Sequence, residues 1–169
     1  MISVEEIIER LGMQPHLEEG GYFVETYKSE ESVPRVGLPE RYPSERAFGT
    51  AIFYLLTPDT CSALHRLASD EIFHFYLGDP VTMLQLHPGR SSRVLTLGHD
   101  ILLGQELQVV VPKGTWQGSF LNEGGEFALL GCTVAPGFDY ADYEHASREA
   151  LLDQYPDQRE LIIRLTSGD

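Results

Sequence analysis

Apolar and polar residues alternate with the period of strands along most of the chain, and only the two ends carry the period of helices. Ser3-Val4-Glu5-Glu6 reads as a capping box, Ile7, Ile8 and Leu11 form one apolar stripe, and Gly12 stops it. The pattern predicts a helix over 3–11. After Gly20-Gly21, the run Tyr22 to Tyr27 crowds aromatic and β-branched residues and predicts a strand. Residues 30–46 hold Pro34, Pro39 and Pro43 among scattered charges and read as a long excursion at an edge or interface. Short strands then follow over 48–56, 61–67, 71–77, 81–86, 93–97, 107–111, 116–121 and 127–134, separated by Pro, Gly, Asn and Asp turn chemistry. Such spacing predicts an all-β sandwich or barrel. Near the C-terminus Ser147 caps a helix through Asp153, and Pro156 ends it. A last helix from Asp157 to Leu165 turns Leu161, Ile162 and Leu165 toward the barrel, so both helices are expected to cover an end or edge of the sheets.

A length of 169 residues suits a single domain over 1–169, with a barrel core at about 20–138 and C-terminal helices at about 145–166. The net charge of −14 argues against nucleic acid, whose phosphates need surplus Lys and Arg, and against anionic membranes. No apolar run is long enough to span a bilayer. The acidic start, Met1-Ile2-Ser3-Val4-Glu5-Glu6, is unlike a signal peptide, so a cytoplasmic location is expected. Cys61 and Cys132 lie in apolar runs and are expected to be free thiols.

The segment His65-x-Leu67-x3-Glu71-x6-Gly78 resembles the first cupin motif in its first His, its Glu and its Gly. Leu67 replaces the second His, and Asp59 stands where a Gly is expected. Pro112-Lys113-Gly114 is similar to the core of the second motif, with Gln117 at its His position, Leu121 at its Asn position and Glu106 at its leading Gly. A wider resemblance, to the cupin-5 family, runs through Glu19-Gly20-Gly21-Tyr22-Phe23, Asp70 to Tyr76, Gly78-Asp79-Pro80, Val109 to Pro112 and Gly131 to Asp139. It implies a cupin double-stranded β-helix, a jelly-roll barrel, to which the residue pattern adds one N-terminal and two C-terminal helices. It also implies a homodimer resembling those of metal-free sugar-nucleotide epimerases.

By strand parity, His65 groups with Cys61, Ala63 and Leu67, and Glu71 groups with Phe73 and Phe75. These sets point into the barrel, and His74 points out. His65, Glu71 and Gln117 are therefore the candidate ligand-binding residues, with Phe73 and Phe75 on the pocket wall. His65 and Glu71 are also the candidate catalytic pair, with the imidazole as base. No cofactor is expected. The alternative is a divalent transition metal on His65, Glu71 and Gln117, a thin donor set with one imidazole. Tyr22, Tyr27, Tyr54 and Tyr140 are open as the opposing acid. His16, His87, His99 and His145 fall near turns and are expected to be exposed, and Asp139, Asp142 and Glu144 to form a solvated loop. The leading reading is a small-molecule-binding cupin holding a polar, carbohydrate-like metabolite. Alternatives are a metal-free sugar-derivative epimerase or isomerase, a degenerate metal-dependent enzyme, and a structural dimer with a filled barrel.

Overall fold

A computed structural model describes residues 2–166. Helix α1 (Val4–Leu11) is followed by strands β1 (Gln14–Pro15), β2 (Tyr22–Lys28), β3 (Ser32–Val33), β4 (Arg46–Ala47), β5 (Thr50–Leu56) and β6 (Cys61–Arg66). Then come β7 (Asp70–Gly78), β8 (Val81–Leu86), β9 (Ser92–Leu97), β10 (Gln108–Val111), β11 (Trp116–Leu121), β12 (Ala128–Ala135), β13 (Glu144–His145), α2 (Arg148–Gln154) and α3 (Arg159–Arg164). The expected elements are present, with ends shifted by a residue or two. The capping box of α1 forms, with Glu6 donating its N–H to Ser3 Oγ and Ser3 donating its own to Glu6 Oε2.

The strands make two facing antiparallel sheets, a jelly roll. One runs β1-β2-β5-β12-β7-β10 and the other β13-β6-β11-β8-β9. Between them Tyr54, Leu56, Phe73, Phe75, Met83 and Leu130 build the apolar core. The five-stranded sheet adds Val81, Leu95, Leu97 and Leu121 to this core and also carries a buried polar set: Ser62, His65, Gln85, Gln117 and Ser119. Helices α2 and α3 cover the outer face of that sheet. There Leu151, Ile162 and Leu165 pack on Leu64, Leu84 and Leu86, each such burial stabilising by about 1.5–3 kcal/mol. Among the described residues no helix is long and apolar enough to cross a membrane.

The excursion over 30–46 packs against its own chain. Tyr42 is fully buried, with its hydroxyl 2.8 Å from Ser69 Oγ, and β3 pairs with β4. In the acidic loop expected to be solvated, Asp139 and Glu144 are exposed, but Asp142 is withdrawn from water. Arg46 holds Asp142 through two bonds of 2.7 and 2.6 Å in a pair almost wholly excluded from water. Arg66 holds Glu144 likewise, and Asp139 caps the turn at Ala141.

Candidate functional site

The site lies at one end of the barrel, where β6 leaves one sheet and β7 enters the other. A bulge sets the direction of His65. Gln117 pairs with His65 and Ser119 with Ser62, so three steps on β6 oppose two on β11. Ser62 and His65 thereby both face inward, whereas Cys61 and Leu64 both turn out toward the helices. The inward direction of His65 agrees with the parity argument, but Cys61 does not share its side, because the bulge breaks the alternation between them.

The bulge also fixes the imidazole. His65 Nδ1 lies 2.7 Å from the carbonyl of Ala63, which accepts only, so Nδ1 carries hydrogen. In the neutral ring Nε2 is then a lone pair facing the cavity. Glu19 Oε2 stands 3.7 Å from it, too far for a direct hydrogen bond.

Glu19 is a site residue that sequence spacing did not suggest. The turn before β2 brings it in. Gly20 has φ of 97°, and a Cβ there would lie 2.2 Å from the carbonyl oxygen of Cys61, so only glycine lets the loop approach β6. The Glu19 carbonyl accepts from Ala63 N–H, and its carboxylate accepts from Ser62 Oγ at 2.6 Å. His16 completes this loop. Its Nδ1 accepts from the Glu19 N–H at 2.9 Å, and its ring is 8% exposed, correcting the expectation that it lies free in solvent. His99 and His145 are exposed, and His87 is half-buried.

Glu71 enters from β7, fully inside the protein. Burial pushes its carboxyl up to about 7, against the pull of His65 and with the push of Glu19, so near neutrality it is both acid and base. Gln117 donates its side-chain amide to Glu71 Oε2. Burial, then the Glu71 charge, raises the Cys132 thiol well above its ordinary range, so it remains a thiol beside that carboxyl. Cys61 is free as well.

His65, Glu71, Glu19 and His16 line one cavity of about 110 Å³, with Cys132 and Tyr140. That is room for on the order of four waters. Gln117 stands behind Glu71 and does not line the space, and Phe73 and Phe75 lie in the apolar core rather than on its wall. His74 lies outside, on the far face of the six-stranded sheet, bonded to Thr133 and Gln108.

Of the four open tyrosines, Tyr140 reaches the cavity, while Tyr54 gives its hydroxyl to the Gly20 carbonyl at 2.6 Å. Tyr143, which the sequence did not single out, stacks on His65 with ring centres 5.1 Å apart. Burial and nearby acidic charge raise both Tyr140 and Tyr143, so each phenol keeps its proton and acts as a donor.

The donor set does not fit a transition metal. Gln117 does not line the cavity, and Leu67 stands where a second imidazole is needed. Among the described residues no three His, Cys, Asp or Glu side chains converge as ligands.

A family model described as Cupin superfamily (DUF985) matches residues 5–146. A crystallised protein of Shewanella oneidensis is 34% identical, with a TM-score of 0.87 over 100% of both chains. A hypothetical protein of Leishmania major is 30% identical, with a TM-score of 0.87 over 99% of this chain and 100% of its own. An uncharacterized protein of Saccharomyces cerevisiae is 30% identical over 149 residues, 83% of this chain and 74% of that protein.

Proposed function

The chain belongs to the DUF985 family of the cupin superfamily, and from that premise we propose that it binds a small polar metabolite in the mouth of its barrel. One observation carries this reading. His65 Nε2 and Glu19 Oε2 face each other across 3.7 Å, and neither is satisfied by the other. A ligand hydroxyl that donates to one of these two acceptors supplies a missing partner. The cavity is smaller than the roughly 300 Å³ at which ordinary ligand pockets begin. Only a polar, carbohydrate-like head group enters it, and the rest of the ligand lies over Tyr140 at the rim.

A second reading follows from the tautomer. With Nδ1 anchored on Ala63, Nε2 is free to take a proton from a carbon next to a ketone. Glu71, near half-protonated at neutral pH, and the neutral Tyr140 phenol are the groups that return one. This is metal-free isomerisation or epimerisation with His65 and Glu71 as the catalytic pair.

The test is a thermal-shift panel of polyols, sugars and sugar phosphates. At least one compound is expected to raise the melting temperature of the wild type and to leave His65→Ala unmoved. A panel without hits, or hits that survive in His65→Ala, would remove the reading. A homodimer belongs to the same proposal. Helix α1 covers one part of the outer face of the six-stranded sheet; the rest exposes Tyr27, Tyr76 and Val110, and a second copy would cover it. Sedimentation as a monomer at micromolar concentration would contradict it.

A further inference from the structure

Beside the cavity, on the other side of Leu67, runs a second groove of about 250 Å³. Its walls carry Arg41, Arg66 and Lys113. The chain has only 12 Lys and Arg in total against a net charge of −14, so three basic residues in one groove run against its overall composition. The acids present do not cancel them. Asp142 is already held twice by Arg46, and Glu144 offsets Arg66 alone. Asp70 lies near, its carboxylate accepting from the backbone N–H of Lys113 and keeping its charge. Arg41 and Lys113 make no ion pair among the described residues. With Asp70 counted, one net positive charge is left, and neither Arg41 nor Lys113 is engaged by a carboxylate.

The groove is also preorganised. Arg41 donates through Nε to the Ala68 carbonyl at 2.8 Å and lies over the Tyr42 ring, which fixes its guanidinium plane. Arg66 lies 4.4 Å over the ring of Trp116, but its Nε and Nη2 are taken by Glu144, so the open guanidinium edge is that of Arg41. Fixed guanidinium forks are the side chains that best match phosphate oxygens.

We propose that this groove is a phosphate subsite, taking the phosphate monoester of the metabolite whose polar head enters beside His65. The inference rests on the cavity reading only in joining the two sites into one ligand. The donors select the class: a guanidinium and an ammonium that no carboxylate engages match phosphate oxygens, and a neutral sugar leaves them unmatched.

Trp116 is the only tryptophan, and its contact with Arg66 makes it a built-in reporter. Inorganic phosphate is titrated at constant ionic strength, with Trp116 fluorescence followed in wild type, Arg41→Gln, Lys113→Ala and His65→Ala. The wild type is expected to give a saturable change that chloride does not reproduce. Lys113→Ala, an exposed position where folding is not at stake, should weaken it about tenfold, and Arg41→Gln at least as much. His65→Ala should bind phosphate as the wild type does. A merely linear drift, or wild-type affinity in Lys113→Ala, would overturn the proposal, and equal or tighter binding of malonate would overturn the phosphate assignment. If phosphate binds as expected while metabolite shifts persist in His65→Ala, the cavity reading falls and the groove stands.

Discussion

Replacing Glu71 by Gln keeps the size and hydrogen-bonding shape of a buried side chain and removes its charge. In the folded protein burial raises this carboxyl from an ordinary 4.5 to about 7, a difference worth about 3 kcal/mol. The sign follows from proton binding. Between those values the native state holds a proton that the unfolded chain has released. Stability is therefore greatest below about 4.5, falls as pH rises, and levels off above about 7. Glu71→Gln lacks this loss. Near pH 4.5 the native carboxyl is protonated, so it and the variant amide both offer the Gln117 side chain a neutral acceptor. The variant should thus match wild type within about 1 kcal/mol near pH 4.5 and be about 3 kcal/mol more stable at pH 8. Urea denaturation of both proteins at five pH values measures the gap. A gap that stays constant with pH, or widens toward acid, would refute the placement of Glu71 as a desolvated carboxyl.

Arg46→Met should cost about 3–5 kcal/mol in the same assay, because it strands Asp142 without its partner. The double variant Arg46→Met/Asp142→Leu should recover most of that, and a single-variant cost below about 1 kcal/mol would deny the burial of the pair. Ser119 Oγ is buried without a partner among the described residues, so Ser119→Ala should leave stability unchanged or raise it by about 1 kcal/mol. A loss above about 2 kcal/mol would mean that the hydroxyl has a bonded partner.

The strand order and the inward direction of His65 and Glu71 were legible because alternation and turn residues are local signals. Gln117 was expected to share the cavity with His65 and Glu71, but it bonds Glu71 from behind and does not line the space. The β6 bulge was not legible: nothing in Cys61-Ser62-Ala63-Leu64-His65 marks an extra residue, since pairing with β11 creates it. Glu19 and His16 were missed for a related reason. They reach the site through a loop closed by contacts across more than forty residues, between the Glu19 carbonyl and Ala63 N–H. The usable signal was Gly20-Gly21, a pair whose positive φ values permit that approach, but it named a turn and not what the turn carries. The aromatic residues misled differently. Phe73 and Phe75 do face inward, yet the barrel is long enough that their level belongs to the core.

The central claim is that the cavity between His65 and Glu19 holds a small polar ligand. Equilibrium dialysis of wild type, His65→Ala and His74→Ala against a cellular metabolite extract, with mass spectrometry of the retained compounds, tests it most directly. Wild type and His74→Ala should enrich the same small polar compound or compound family, and His65→Ala should lose it. No enrichment by wild type, or the same compounds retained by His65→Ala, would contradict the account.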